Sequence, residues 1–579
     1  MTNRSGNIFQ SSSNSATTNL YFRKLELFTA SIPLVLFFLY FWKFAVNAPW
    51  FDDVEAFPAF LIDFSKESSI SQKLTLLLKP NNEHRILFAK LVTVVQYWFT
   101  GAIDYRWLML IGNLSVVGIF LLIVRVFNRN QLSGWHLVPL SLLLFQPHYH
   151  LVSFWAITSL QHQPTAFLVL LSLYCLVKKS WQYFMGSVVL ILLATFSMSN
   201  GMFGWLAGAV LLFVQSRYKS LLLWAMLMVL AVFLYFWGFS TQGNEAGFTY
   251  LRAYPHKIVL AFFTFIGGFL DLLPSQYEPF RFALPIIFGV FMTLGLGTLA
   301  WQSLVPRKSN SLTTTWQRLT ADELFVVGGL IYLLINALVV SVLRPRFGFG
   351  VLVVSNYKLY PTLLISLFYT WWMLRQHATK QKPSQKQLVA FILVTLLANG
   401  LAYWRFTPEV ENRHRNLLAN CFNQRYNQVG LGGMVGTPLA NYINKVLTQS
   451  INAKHYQYPQ AFYTPYQAEL RLPATNQKVF PNVSVIDTPA HFAIYNPDFQ
   501  QDNLSSSTFY WVLQSVQHTY LIATQAAPYE GRNPFKRGRG VVAFVQKPLL
   551  YSGDYQIGML GVMGKQHELK WTNKTLHKP

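Results

Sequence analysis

Apolar runs long enough to cross a bilayer recur between residues 27 and 403, and no other feature constrains the fold as tightly. Runs such as 284–301 and 324–342 approach the roughly 20 residues that span a hydrocarbon core of about 30 Å. With 53% hydrophobic and only 12% charged residues, the 579-residue chain falls outside the range of ordinary soluble proteins. About eleven spans are predicted, centred on residues 27–46, 107–125, 137–145, 166–177, 184–196, 203–214, 221–237, 284–301, 324–342, 359–373 and 388–403. Two further apolar stretches, 86–99 and 259–270, are too short to cross and are expected as interfacial or re-entrant helices.

The net charge of +24 invites a nucleic-acid reading, but its distribution argues against one. Many of the cations sit between apolar runs, where they set topology and meet anionic lipid headgroups. With a cytoplasmic N-terminus, Arg125, Arg129, Lys178, Lys179, Arg217, Lys219, Arg307, Lys308, Arg375, Lys380, Lys382 and Lys386 all fall on the inner side. That orientation sends the loop after the first span and the C-terminal region to the outer side. Residues 1–24 are expected to form a disordered cytoplasmic N-terminus, and the run 27–46 a retained signal anchor.

After Tyr403 the composition changes. Residues 405–579 hold no spanning run and are rich in Asn, Gln, Pro and Tyr. They are expected to form an extracytoplasmic α+β region, helical over 405–478 and β-rich over 479–579. Short strands at 492–495, 508–512, 519–523, 541–544 and 555–559 would build a small β-sandwich. The two cysteines, Cys175 and Cys421, supply no disulfide framework and no metal-spaced Cys/His set.

Against this apolar background a few polar clusters stand out. Asp52, Asp53 and Glu55 follow the first span within the loop 47–105, and Glu83-His84-Arg85 opens the interfacial segment. A carboxylate at the mouth of a membrane cavity can take a proton from an acceptor hydroxyl, although an acidic pair in a large loop is as often merely solvated. Arg85 could hold a phosphate through two parallel hydrogen bonds or simply anchor a helix at the interface. Arg344 and Arg346 breach the positive-inside bias on the outer side, where Asn356, Tyr357 and Lys358 follow. Such a breach marks a ligand site or attraction to headgroups. A second outer loop region brings Gln146, His148, Tyr149, His150, Trp155, Gln161 and His162, the kinds of side chain that line sugar pockets and interfacial belts alike. Arg252, His256, Lys257 and Asp271 flank the second re-entrant segment.

A first span leading to Phe51-Asp52-Asp53, a polar motif Glu83-His84-Arg85-Ile86-Leu87-Phe88 opening an interfacial helix, and Tyr105-Arg106-Trp107 opening the next span resemble the GT-C superfamily of polytopic glycosyltransferases. The resemblance covers roughly residues 25–405. It is to members such as protein O-mannosyltransferases and aminoarabinose transferases. Where many members carry an Asp-Glu pair or a His-Pro-Pro segment, this chain reads Asp52-Asp53 and Glu83-His84-Arg85.

The resemblance implies an all-α polytopic membrane domain and an inverting transfer of a sugar from a polyprenyl-phosphate lipid to a glycan, lipid or protein acceptor on the extracytoplasmic face. Asp53 or Asp52 would be the base. Arg344, Arg346, Lys358 and Arg85 are expected on the donor phosphate. Glu55, Glu83, His84, Tyr357, His148 and Gln161 are expected on the substrates. No cofactor is required, and a divalent cation is compatible with the scheme. The surroundings would be the lipids of a bacterial inner membrane, with no nucleic acid. A lipid-linked-sugar transporter and a non-catalytic scaffold for envelope assembly are the alternatives.

Overall fold

The computed structural model describes residues 9–82, 84–239, 245–273, 280–304, 319–378, 384–461, 463–466, 468, 470, 482–498, 507–529, 538–563 and 566–579, the side chains of 9–23, 245, 246, 304, 465, 507, 563 and 566 excepted. The chain is mostly helical, 69%, and ends in a small two-sheet β region. Helix α1 (Phe9–Phe44) leads into a loop that carries α2 (Phe60–Lys66), α3 (Ile70–Leu78) and α4 (Leu87–Thr100). Then follow α5 (Tyr105–Arg129), α6 (Leu137–Leu144), α7 (His150–Phe154), α8 (Ala156–Leu176), α9 (Trp181–Thr195), α10 (Phe203–Val214) and α11 (Tyr218–Phe236). The helical part closes with α12 (Glu245–Ala253), α13 (Pro255–Ile266), α14 (Phe280–Leu304), α15 (Ala321–Leu343), α16 (Leu359–Ala378), α17 (Gln385–Asn427) and α18 (Pro438–Asn452).

Among the described residues, six helices are long and apolar enough to cross a membrane: Lys24–Phe44, Tyr105–Arg129, Tyr218–Phe236, Phe280–Ser303, Ala321–Leu343 and Gln385–Asn427. Each coincides with a predicted run. The other five predicted spans fall on α6, α8, α9, α10 and α16. Of these, α6, α9 and α10 have 8, 15 and 12 residues, while α8 is long but carries Gln161-His162-Gln163 and Pro164. The stretches expected to be interfacial or re-entrant form the 14-residue α4 and the 12-residue α13. Helix α1 begins at Phe9, inside the stretch expected to be disordered. Once an apolar run has nucleated a helix, extending it costs little per residue, even through Ser and Asn.

The largest difference from expectation is α17. A capping box, in which Ser384 and Gln387 exchange side-chain and backbone bonds, starts it. It then runs 43 residues without a break, past Pro408, far beyond the apolar run that ends at Tyr403. The boundary drawn at 404/405 therefore falls inside one helix. Gln428, in the left-handed region at φ 60, stops it.

The strands are β1 (Ser484–Asp487), β2 (His491–Asn496), β3 (Ser507–Gln514), β4 (Thr519–Ala523), β5 (Gln525–Ala526), β6 (Val541–Gln546), β7 (Gly553–Met563) and β8 (Gln566–Lys578). They form two antiparallel sheets, β1-β2-β6-β5 and β4-β3-β7-β8. Trp511, Leu513, Tyr555 and Ile557 pack against Phe492, Ile494, Val541 and Ala543 in the core between them. The other face of β3, with Tyr510 and Val512, packs on Ala419 and Phe422 of α17. Burial on both faces explains why β3 reads as a continuous apolar run. The helical part thus carries its β region on α17.

Two ends of the helical bundle can be told apart by their contacts. At one, Glu26 accepts hydrogen bonds from Ser133 and the Gly134 amide, Arg129 meets Asp322 at 3.0 Å, and Arg375 meets Glu323 at 3.1 Å. At the other, the loop after α1 meets the C-terminal region. The Phe51 amide donates to the Leu431 carbonyl, Tyr456 donates to the Asn47 carbonyl, and His414 lies 2.9 Å from the Phe44 carbonyl. The acidic loop and the C-terminal region share one end.

Candidate functional site

Asp53 organises that end. It is 1% exposed. Its Oδ2 accepts the Trp50 amide at 3.0 Å and its Oδ1 accepts the Ile157 amide at 2.9 Å. The second bond satisfies an orphan N–H in the first turn of α8, so Asp53 caps a helix distant in sequence. Burial pushes its carboxyl up to about 7, against the pull of the two amides and of Arg413. Asp52, by contrast, is exposed, and its backbone carbonyl accepts the Ala56 amide. Of the two aspartates, Asp52 is the one a solvent-borne substrate can reach.

The Asp53 cap also sets two tryptophans. Trp155, just before α8, donates its indole N–H to the Trp50 carbonyl at 3.2 Å, and the two rings stand 4.5 Å apart. The Arg413 guanidinium lies 4.1 Å from the Trp50 ring and 6.0 Å from the Trp155 ring, with its Nε donating to the Phe154 carbonyl. A cleft of about 290 Å³ opens here, lined by Trp50, His150, Leu151, Glu409, Asn412, Arg413, Asn416, Leu417 and Asn420. Glu409 is held by Arg405 at 2.7 Å and approaches His150 Nε2 at 3.7 Å. Burial pushes His150 down to about 4, so at neutral pH that contact is not an ion pair. Aromatic faces, amides and a few fixed charges in one concave place are what a sugar-sized polar ligand needs.

A second polar group lies deeper and is joined to the first by Ser355. The Ser355 hydroxyl accepts the Leu151 amide at 3.0 Å and lies 3.3 Å from both His150 Nδ1 and the His148 carbonyl. Beyond it, Lys358 meets Asp271 at 2.8 Å, both almost wholly buried, and Arg281 grips the same carboxylate at 2.6 and 2.7 Å. Against the upward push of burial, these two cations hold Asp271 below the usual carboxylate range. Lys358 also sits 4.5 Å over the Phe406 ring. His148, 1% exposed, packs on Phe269 and Phe406 with the Asp271 backbone beside it. Burial drives its imidazole well below its ordinary range, so it is neutral.

The remaining predicted residues divide clearly. Arg85 is a correction. Its Nε donates to the Tyr235 carbonyl at 2.8 Å, and its other nitrogens donate to the carbonyls of Leu78, Leu234 and Trp237. It therefore closes the C-terminus of α11, where a cation suits the helix dipole, and has no fork left for a phosphate. Lys358 is sequestered by Asp271, which removes it from the donor-phosphate set. Glu55 is exposed and has Lys90 and Tyr442 as electrostatic neighbours, outside the cleft. Glu83 lies outside the described residues. His84 and Arg344 are electrostatic neighbours of His162, whose Nδ1 lies 2.8 Å from the Tyr360 hydroxyl, with Tyr357 alongside. Arg344 and Arg346 both stand over Phe347, at 5.9 and 4.6 Å. Gln161 is buried on α8 next to His162.

Sequence reasoning missed Glu409, Arg413 and the asparagines of α17. A signal was there. Asn412, Asn416, Asn420, Asn423 and Asn427 recur at three- and four-residue spacing, one stripe of a helix in which Asn is a poor former. Among the described residues no three His, Cys, Asp or Glu side chains gather as a metal site.

No protein-family model, curated protein or solved structure matches the chain. The fold is that of a mostly helical chain with, among the described residues, six helices long and apolar enough to cross a membrane and a C-terminal two-sheet region.

Proposed function

We propose that this chain is an integral-membrane glycosyltransferase that moves a sugar, with inversion, from a polyprenyl-phosphate lipid to an acceptor on the outer side of a bacterial inner membrane. On this proposal the chain makes about eleven crossings, with the acidic loop and the C-terminal region both outside. One observation carries it: Asp53 fixes a loop whose Trp50 lines a cleft of aromatic, amide and charged groups, while Asp52, two residues on, faces solvent.

In this scheme Asp52 takes the proton of the acceptor hydroxyl as its oxygen bonds the anomeric carbon. The bond from that carbon to the phosphate oxygen breaks, and the polyprenyl phosphate leaves with the electron pair, already ionised. Arg344 and Arg346 hold the phosphate, with His84 nearby. Asp53 is a positioning residue. It acts through Trp50 and α8.

Lipid mass spectrometry on cells carrying Asp52→Asn tests the proposal. Loss of a general base costs roughly a hundredfold or more in rate, so one polyprenyl-phosphate sugar should accumulate and thereby name the donor. An unchanged lipid profile, with the variant present in the membrane at normal level, sinks the transferase and favours a transporter or scaffold.

A further inference from the structure

The cleft beside Trp50 does not end at the membrane domain. A second cleft of about 320 Å³ lies between α17 and the β region, lined among others by Tyr520, Gln525, Phe544 and Gln546. Asn412, Asn416 and Asn420 line both clefts. The two meet along one face of α17, and together they reach the roughly 300–1,000 Å³ of small-molecule sites.

The stripe of asparagines has two halves with different duties. Asn423 and Asn427 dock the sheet edge: Asn423 donates to the Leu521 carbonyl and accepts its amide, both at 2.8 Å, and Asn427 donates to the Thr519 carbonyl at 2.7 Å. Packing explains those two. The upper half bonds other side chains. Asn416 donates to Asn412 at 3.1 Å, and Asn412 donates to Gln525 at 3.0 Å, leaving amide capacity along a half-buried wall. Three asparagines in mid-helix cost helix stability, so a water-filled seam would be a poor reason to have them.

The lining has a polarity. The end near Trp50 holds Arg413, Glu409 and His150. Among the described residues that line the β-region cleft there is no charged side chain, only amides, two aromatic rings and apolar groups. Such a wall matches neutral hydroxyls, since each amide offers a donor and an acceptor at no cost in ion desolvation. An anionic chain would find no countercharge in this cleft.

We infer that the groove along Asn412, Asn416 and Asn420 binds a neutral oligosaccharide, its body against the exposed Phe544 and its end at Trp50. Resting on the transferase reading, this makes the acceptor a neutral glycan chain rather than a lipid headgroup or a charged polymer.

The test uses the full-length protein in nanodiscs on an array of neutral and anionic glycans. Wild type should bind neutral oligosaccharides. Removing two amides in Asn416→Ala/Asn420→Ala should weaken binding about tenfold, at roughly 1 kcal/mol or less for each hydrogen bond lost. Phe544→Ala, on an exposed side chain of the other wall, should weaken it several-fold and decides the matter should the double variant fail to fold. No bound neutral glycan, equal binding of anionic glycans, or undiminished binding by Phe544→Ala overturns the inference. Binding is read without turnover, so the transferase can fail in the lipid profile while the groove stands, and the reverse.

Discussion

The carboxylate of Asp53 lies across the first turn of α8, its Oδ1 accepting the Ile157 amide at 2.9 Å. A residue that looks catalytic by its place in the chain thus does the work of a helix cap, over a hundred residues away. Asp53→Ala would leave two amides, those of Trp50 and Ile157, without their acceptor. The expected loss is about 2 kcal/mol, measured as unfolding of the purified protein in detergent. Asp52→Asn, on an exposed side chain, should change stability by less than about 0.5 kcal/mol. Equal stability losses would place both aspartates in structure and neither in chemistry.

The same carboxyl predicts a pH dependence. Folded, Asp53 titrates near 7, chiefly because it is buried; unfolded, near 3.8. Between those values the folded chain holds a proton that the unfolded chain has lost. Its contribution to stability is therefore full below about 4 and drains away as pH rises towards 7, by at most about 1.4 kcal/mol per pH unit. Asp53→Asn should flatten that part of the stability profile. Parallel profiles for wild type and variant between pH 4 and 7 would reject the assignment.

Most of the fold could be read from the chain, and the misses share causes. Among the described residues, all six helices long and apolar enough to cross a membrane lie on predicted runs, because such helices advertise themselves by apolarity alone. The strands that escaped, β1, β5 and β8, are all edges of their sheets. An edge strand has a partner on one side only, and charge there discourages further pairing. His567, Glu568, Lys570, Lys574, His577 and Lys578 give β8 that character and hide its pattern. β4 is also an edge, yet its apolar Tyr520-Leu521-Ile522 gave it away, because α17 covers it. At the site, the clusters with Asp53, His150 and Lys358 stood out as polar residues in apolar surroundings. Arg413 and the asparagines did not. A helix that leaves the membrane keeps its hydrogen bonds while losing its apolarity, so hydropathy marks where lipid ends and not where α17 ends.

The buried group around Asp271 predicts an asymmetry. Two cations, Lys358 and Arg281, share one carboxylate. Lys358→Met leaves Asp271 paired with Arg281 and should be mild. Asp271→Asn leaves two cations beside one another in a buried place, and a broken buried pair costs about 3–5 kcal/mol. Adding Lys358→Met to Asp271→Asn should restore much of that loss. The cycle is read by thermal unfolding in detergent. A Lys358→Met loss as large as that of Asp271→Asn would mean that Arg281 does not carry the pair.

Arg85 separates a structural cation from a ligand-binding one. Its nitrogens serve the carbonyls at the end of α11. Arg85→Gln should lower stability by about 2 kcal/mol, as charge-assisted hydrogen bonds do, and leave the KM for the lipid donor unchanged. A raised donor KM in a variant of normal stability would return Arg85 to the phosphate.

The joint between helix and sheet is testable at Asn423. Its amide occupies both backbone groups of Leu521 on an otherwise open strand edge, and Asn427 takes the Thr519 carbonyl two residues away. Asn423→Ala removes two buried hydrogen bonds and exposes the edge of β4 to competing partners. Hydrogen exchange at residues 519–523 should quicken by roughly tenfold to a hundredfold, the equivalent of about 2 kcal/mol in local opening. The helical bundle at the Glu26 end should exchange as before. Exchange that rises equally throughout would mean global destabilisation, and exchange unchanged at Leu521 would mean that apolar packing of Phe422 against the sheet holds the joint without the asparagine.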